Sequence, residues 1–273
     1  MLFKSAAKAA VFAVAAVVAL AAPACADQLD KIKAAGKITF ATEMHYAPFD
    51  LLEKGEYRGI CRGLGDIVAQ ELGVKAEYMD LPWTSVLPGL EVGKFDMTNA
   101  PVTITKQRME RYAFTLPISE ATVGLAKSAK DTSINKPEDI AGKTVGAQKG
   151  SHDLDELKAF AGKLKDVKIK EYASVDEAYA DLVAGRIDAV ANGAPLNGYV
   201  VSLRPDTFAL VNPPFGEKAY FAWAARKGPD SARLVAEIDR IFNLIKDDGR
   251  LAKIQTKWLG RRSRLPREFP TPQ

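Results

Sequence analysis

The chain has very little cysteine. Cys25 and Cys61 are the only cysteines among its 273 residues, and the sequence contains no CxxC pair. It also has no cluster of His, Cys and carboxylate residues at metal-ligand spacing, so we expect no metal and no cofactor. Cys25 lies in a segment that we expect to be removed, which leaves Cys61 without a partner for an internal disulfide. The mature protein must therefore be stabilised by a hydrophobic core.

The one long uncharged apolar run lies at the N-terminus. Lys4 and Lys8 precede residues 9–22, and Ala24-Cys25-Ala26 follows. This layout is typical of a secretory signal peptide with cleavage after residue 26, and the run is too short to span a membrane comfortably. Residues 22–24 match poorly to the sequence that precedes a lipidated cysteine. We therefore expect a soluble protein exported to the periplasm, with residues 1–26 as its signal peptide.

The mature chain also lacks a net charge of either sign. The predicted signal peptide carries two of the 38 basic residues and none of the 34 acidic ones, so the remainder has 36 minus 34, or +2. Nucleic-acid binding requires a basic face, and the basic residues are scattered among acidic ones except in the C-terminal tail. The composition gives no support to a nucleic-acid partner.

Strand and helix patterns alternate along the chain. Apolar residues at 64, 67, 68 and 72 have helical spacing, a strand pattern covers 75–79, and a helix pattern covers 83–91. Such alternation is typical of a parallel α/β sheet flanked by helices.

One segment of the chain recurs about ninety residues later. Residues 90–96 (LEVGKFD) are followed by the similar residues 182–188 (LVAGRID). The duplication predicts two similar lobes. We interpret Asp96 and Asp188 as turn residues at strand starts rather than as ligand-binding residues.

A loop of small and hydroxylated residues between 95 and 108 is the strongest candidate for a binding site. Ligands of open α/β sheets bind at the carboxyl ends of the strands, where this loop is predicted to lie. Arg108 falls one turn into the helix that Thr105 opens, and its planar fork suits a carboxylate. The alternative is that Arg108 is an ordinary solvated helix arginine.

Several segments together resemble a known family. They are TITKQR (103–108), YAFTLP (112–117), ATEMHYAPF (41–49), GKTVG (142–146) and KWLG (257–260). In this order they resemble the family 3 extracellular solute-binding proteins, the binding proteins of polar amino acid ABC importers. The resemblance covers nearly the whole chain after residue 30.

The resemblance implies a two-lobed, type II periplasmic-binding-protein fold. Each lobe would be a mainly parallel sheet flanked by helices. The first lobe would comprise residues 27–120 and 222–273, and the second lobe residues 121–221. Two strands, near 121–127 and 220–226, would cross between the lobes and act as the hinge.

The implied function is the extracytoplasmic substrate-binding component of an ABC importer, with the permease as its partner. We expect a monomer that closes around an amino acid or a similar carboxylate. The alternative is a dehydratase-like periplasmic enzyme on the same scaffold, because His45, Glu43 and His152 all fall in predicted cleft loops. A receptor sensor domain would need a membrane span after residue 260, where the sequence has none.

The resemblance also implies which residues face the ligand. Tyr46 and Trp83 would stack on its aliphatic part, the Pro101 carbonyl and Thr103 hydroxyl would face its amino group, and Arg108 would bind its carboxylate. In the second lobe, Gln148 would point toward the side chain of the ligand, and Ser151 and His152 would supply backbone N–H groups. The implied set is completed by Glu43, Asn192 and Gly193.

Gly193 departs from the family pattern. Many members have an acid at this position, which binds the α-amino group of the ligand, whereas here the pair is Asn192-Gly193. An enclosed ammonium group needs a compensating acceptor, and Glu43 is the nearest candidate in the sequence. This pattern predicts a zwitterionic or cationic ligand with its positive group on Glu43.

Overall fold

The structure is a computed structural model that describes residues 26–270. Residues 1–25 of the predicted signal peptide lie outside the described residues. The helices are α1 (Gln28–Ala35), α2 (Ile60–Leu72), α3 (Trp83–Glu91), α4 (Lys106–Arg111), α5 (His152–Ala161), α6 (Val175–Val183), α7 (Ala194–Leu203), α8 (Pro229–Asp247) and α9 (Arg250–Leu259). A short 3-10 helix covers Pro137–Ile140.

The strands are short. They are β1 (Lys37–Thr42), β2 (His45–Tyr46), β3 (Asp50–Glu53), β4 (Glu56–Arg58), β5 (Lys75–Asp80), β6 (Met97–Thr98), β7 (Val102–Thr103), β8 (Tyr112–Phe114), β9 (Ser119–Glu120), β10 (Val123–Ser128), β11 (Thr144–Gln148), β12 (Lys168–Tyr172), β13 (Ala189–Gly193), β14 (Phe208–Phe215), β15 (Tyr220–Ala222) and β16 (Ala224–Arg226).

Two five-stranded sheets with the same architecture form the two lobes. Their strand orders are β5-β1-β6-β16-β8 in the first lobe and β12-β11-β13-β10-β14 in the second. In each order the first three strands are parallel and the fourth is antiparallel to both neighbours, so four of five strands run in one direction. The predicted two-lobed, mainly parallel α/β fold is confirmed. The lobe boundaries at residues 120 and 222 remain a prediction.

The repeated segment has the same structural role in both lobes. The Asp96 carboxylate accepts the backbone N–H of Thr39 in β1 at 2.7 Å, and the Asp188 carboxylate accepts that of Thr144 in β11 at 2.7 Å. Both aspartates therefore satisfy a backbone donor of the neighbouring central strand. This confirms their interpretation as structural residues.

The chain crosses between the lobes twice, and the two crossings are hydrogen-bonded to each other. The Ala121 N–H donates to the Ala219 carbonyl at 2.8 Å, and β9 pairs antiparallel with β15. The second predicted hinge strand is divided at Trp223. Its first part, β15, pairs with β7 and β9 at the crossing, whereas its second part, β16, joins the first sheet.

Helix α8 packs on the first lobe, as its amphipathic pattern predicts. Leu234, Ile238, Ile241 and Phe242 are buried, with the Phe242 ring 5.2 Å from that of Trp223. Removing such apolar surface from water is the main source of stability in residues 26–270, where Cys61 forms no disulfide. Among residues 26–270, no helix is both long enough and apolar enough to cross a membrane.

Candidate functional site

A cavity lies where loops of the two lobes meet. The first lobe contributes the ends of β1 and β7 with the starts of α3 and α4, and the second contributes the β11–α5 connection. The lining residues are Thr42, Glu43, Tyr46, Trp83, Ala100, Pro101, Thr103, Arg108, Gln148, Ser151, His152, Asp153 and Phe221.

Nine of the eleven predicted site residues line this cavity. They are Glu43, Tyr46, Trp83, Pro101, Thr103, Arg108, Gln148, Ser151 and His152. They come from four separate stretches of the chain, so only the fold brings them together. Their roles toward a ligand remain predictions.

Arg108 is held in the cavity wall by backbone contacts. The Thr105 hydroxyl caps α4 by accepting the backbone N–H of Arg108, which fixes the first turn of this short helix. The guanidinium donates to the Thr103 carbonyl at 3.1 Å and to the Gly150 carbonyl at 3.5 Å. It also lies 5.6 Å from the centre of the Trp83 ring. Burial lowers the pKa of Arg108, a penalty that a bound anion would offset.

Two aromatic side chains bridge the lobes across the cavity. The Trp83 indole N–H donates to the Gly150 carbonyl at 3.0 Å, and the Tyr46 hydroxyl donates to the Asn192 amide oxygen at 2.9 Å. The Tyr46 ring stands edge-on to that of Phe221, with centres 6.4 Å apart. Rigid aromatic faces of this kind suit the aliphatic part of a small ligand.

Glu43 meets Gln148 across the cavity. The Gln148 amide donates to Glu43 Oε2 at 2.6 Å, and both side chains are buried. Burial raises the pKa of Glu43 to about 7, although this hydrogen bond works in the opposite direction. The Gln148 hydrogen bond therefore compensates the buried carboxylate only in part.

Asp153 is a lining residue that the sequence reasoning missed. It lies in the first turn of α5 and is 4% exposed, and burial raises its pKa to about 7 despite the nearby Arg108 charge. Ser151 caps this helix by accepting the Leu154 N–H, which turns residue 153 toward the cavity. An acid in a first turn is ordinary helix chemistry, so its position in sequence alone carried no signal. Thr42, Ala100 and Phe221 were missed as well.

Asn192 and Gly193 are the two predicted residues that do not line the cavity. The Asn192 amide oxygen accepts a hydrogen bond from the Tyr46 hydroxyl, and its amide nitrogen donates to the Tyr179 hydroxyl at 3.2 Å. A Cβ atom at Gly193 would lie 3.0 Å from Leu196 Cδ1 and 3.1 Å from Phe221 Cζ. A side chain at residue 193 would therefore require these apolar side chains to shift by a few tenths of an ångström.

The two histidines differ in position. His45 points away from the cavity with its side chain 55% exposed, and its Nδ1 lies 3.9 Å from Asp176 Oδ2. His152 lines the cavity, and burial together with Arg108 lowers its pKa to about 4. His152 is therefore neutral at physiological pH. Residues 26–270 contain no group of three His, Cys, Asp or Glu side chains placed to hold a metal ion.

Comparison with known proteins decides the family. The profile of the bacterial extracellular solute-binding proteins, family 3, matches residues 38–261. The chain belongs to this family.

Relatives of this family 3 protein cover nearly its whole length. The L-cystine-binding protein TcyJ of Escherichia coli (strain K12) is 29% identical over 254 residues, which is 92% of this chain and 93% of TcyJ. The structure of an ancestral arginine-binding protein bound to arginine is 31% identical, with a TM-score of 0.76, and the match covers 82% of this chain and 99% of that one. The structure of the ancestral amino acid-binding protein AncCDT-1, described as a precursor of cyclohexadienyl dehydratase, is 28% identical, with a TM-score of 0.77 and coverage of 85% and 99%.

Proposed function

We propose that this chain is the extracytoplasmic substrate-binding component of an ABC importer and that its ligand is an amino acid or an amino-acid-like carboxylate. The observation that carries the proposal is the Arg108 guanidinium in the wall of a cavity between two lobes. A planar guanidinium binds a carboxylate through two parallel hydrogen bonds. Its hydrogen-bond acceptors are the neutral Thr103 and Gly150 carbonyls, so a ligand carboxylate would be a direct anionic partner for the guanidinium.

The lining of the cavity favours an amino acid. Trp83, Tyr46 and Phe221 offer apolar faces, while Glu43 and Gln148 offer polar groups besides Arg108. The ancestral relative with arginine bound has a ligand of this class.

We propose that the ligand enters when the lobes separate and that it is enclosed by hinge closure. The hydrogen bonds that join the lobes around the cavity include those from Trp83 to Gly150, from Tyr46 to Asn192 and from Gln148 to Glu43. A ligand enclosed in this way can leave only if these contacts open, and two adjacent crossing segments permit such a motion. The closed monomer would then dock on the permease at the outer face of the inner membrane, in the periplasm.

An enzymatic function has less support. A Glu43/His45 acid–base pair would have to meet in the cavity, whereas the His45 side chain lies outside it. His152 does line the cavity, but its low pKa makes it a poor proton carrier near neutral pH. Binding without turnover therefore fits these residues better.

A thermal-shift screen of the mature protein tests the proposal. The protein is first unfolded and refolded to remove any bound solute, then incubated with L-arginine, L-lysine, L-glutamine, L-cystine, succinate and glucose. An amino acid at a hundred times its dissociation constant should add about 2.7 kcal/mol to the free energy of unfolding. Stabilisation by glucose or succinate alone would contradict the proposal. Mass spectrometry of the recovered solute separates binding from catalysis, because a binding protein returns it unchanged.

A further inference from the structure

An acidic side chain without a close partner lies beside Arg108 in the cavity wall. Asp153 is 4% exposed, and its Oδ2 is 3.5 Å from the Tyr46 hydroxyl. Its Oδ1 has no hydrogen-bond partner among the described residues. A buried carboxylate is costly unless it is paired, so this site is suited to a donor that arrives from the cavity.

Arg108 does not supply the close partner. The two charges are near enough to interact, but Arg108 and Asp153 form no ion pair within 4.0 Å in the described part of the chain. The guanidinium is instead directed to the Thr103 and Gly150 carbonyls. The cavity therefore presents a cation and an anion side by side, each with unused bonding capacity.

This pair of charges matches the head group of an α-amino acid. The carboxylate and ammonium groups of such a ligand are attached to one carbon, so the groups that bind them must be neighbours. Glu43 is not part of this arrangement, because its charged neighbours are His45, Asp176 and Asp80. Glu43 and Gln148 form a second polar end of the cavity, where the side chain of the ligand would reach.

We propose that Asp153 receives the α-ammonium group of an amino-acid ligand, beside Arg108, and that Glu43 receives a donor group of the ligand's side chain. The inference rests on the proposed function. Many family members have the ammonium-binding acid of the second lobe at the position of residue 193, whereas here Asp153 in the first turn of α5 would take that role. The substrate class becomes α-amino acids whose side chain ends in a cation or an amide.

The surroundings of Gly193 are consistent with this transfer. Phe221 is 1% exposed and lines the cavity, and its Cζ lies 3.1 Å from the position of a Cβ atom at residue 193. Phe221 is held there by edge-on contact with Phe49 at 5.4 Å and with Tyr46 at 6.4 Å. An acid that approaches from α5 avoids this aromatic cluster.

The alternative explanation is that Asp153 only stabilises the N-terminus of α5. Asp155 lies in the same turn, is exposed and would serve the helix dipole equally well. Asp155→Asn is therefore a matched control, because it removes the same charge from the same turn without altering the cavity lining. A purely structural Asp153 would affect all ligands alike.

The test measures two ligands that differ only in the α-amino group, by titration calorimetry at pH 8. The pairs are L-arginine with 5-guanidinopentanoate, and L-glutamine with glutaramate. Wild type should bind the amino acid of a pair at least tenfold more tightly than its desamino counterpart. Asp153→Asn should reduce affinity for the amino acid by at least tenfold and leave the desamino affinity within threefold. Asp153→Glu should recover part of the loss, and Asp155→Asn should change neither.

Equal losses of affinity for both members of a pair, or no loss of affinity for the amino acid, would overturn the assignment of Asp153. The proposed function would still stand. If wild type binds no amino acid in the screen, the proposed function itself fails, and this inference fails with it. Thermal unfolding of each variant, monitored by circular dichroism, confirms that the affinities refer to folded protein.

Discussion

Replacing Arg108 by methionine should abolish tight binding of any carboxylate ligand without unfolding the protein. Methionine keeps an unbranched apolar stem that can rest against Trp83, but it removes the guanidinium that faces the cavity. Losing one member of a buried charge pair at a binding site typically costs about 2–5 kcal/mol. At about 1.4 kcal/mol per tenfold, the dissociation constant should rise by about 30-fold to several thousandfold.

The effect on folding should be much smaller. Arg108 makes two hydrogen bonds, to Thr103 and Gly150, and each contributes about 1 kcal/mol to stability. Removing a buried charge also removes its desolvation cost, which offsets part of this loss. Asp153 would lose a nearby positive charge, but its pKa of about 7 allows it to take up a proton. We therefore expect the melting temperature to fall by only a few degrees.

Arg111→Met is the matched control. Arg111 lies in the same helix, but its guanidinium pairs with Glu91 at 2.6 Å outside the cavity, with its side chain 64% exposed. Exposed ion pairs contribute little, so affinity and stability should stay close to wild type. Calorimetric titration with the amino acid identified by the screen gives the dissociation constants. An affinity of Arg108→Met within a few-fold of wild type would refute the carboxylate role of this arginine.

Three further predictions concern other parts of the protein. Glu43→Gln should lower the affinity for L-arginine at least tenfold in the same titration but the affinity for L-glutamine only a few-fold, because it removes a negative charge and keeps a hydrogen-bonding group. Equal losses of affinity for both ligands would contradict this prediction. Trp83 should change its fluorescence when ligand binds, because its indole bridges the lobes; Trp83→Phe should eliminate the change, whereas a signal that persists would have to come from another tryptophan. Asp50 is fully buried and accepts a hydrogen bond from Tyr57, and burial raises its pKa to about 8. Because of this raised pKa, the folded protein keeps a proton on Asp50 that the unfolded chain releases near pH 4. The free energy of unfolding, measured with urea, should therefore fall as pH rises from 5 to 9, and Asp50→Asn should flatten this fall; a rise with pH would show that the sign is wrong.

Local sequence signals determined the framework of the protein. Ser174 and Glu177 form the capping box that their spacing predicts, and Gly73 ends α2 with a positive φ of 72°. The duplicated segments that end at Asp96 and Asp188 predict the two similar lobes. These features depend on contacts between residues close in sequence, or on a repeat visible in the sequence, and so can be read directly from it.

The role of Arg108 depends on both the local sequence and the tertiary structure. The sequence placed it at the start of a helix after a strand, where arginine can be either a solvated residue or a ligand-binding one. Resemblance to a family favoured the second interpretation, and the structure places its guanidinium in the cavity wall. Its position could be predicted because the helix, the loop and the strand end are contiguous in the chain.

Only the tertiary structure decided which acid faces Arg108. Asp153 belongs to the second lobe, and its approach to a first-lobe arginine depends on how the two lobes meet, which no local pattern encodes. The same holds for Gly193, whose surroundings are set by Phe221, a residue from the crossing segment 28 positions later. The sequence determines which charged side chains a protein has. The packing of distant segments determines which of them are buried and become neighbours. In this protein the framework follows from the sequence, and the charge pattern of the cavity follows from the fold.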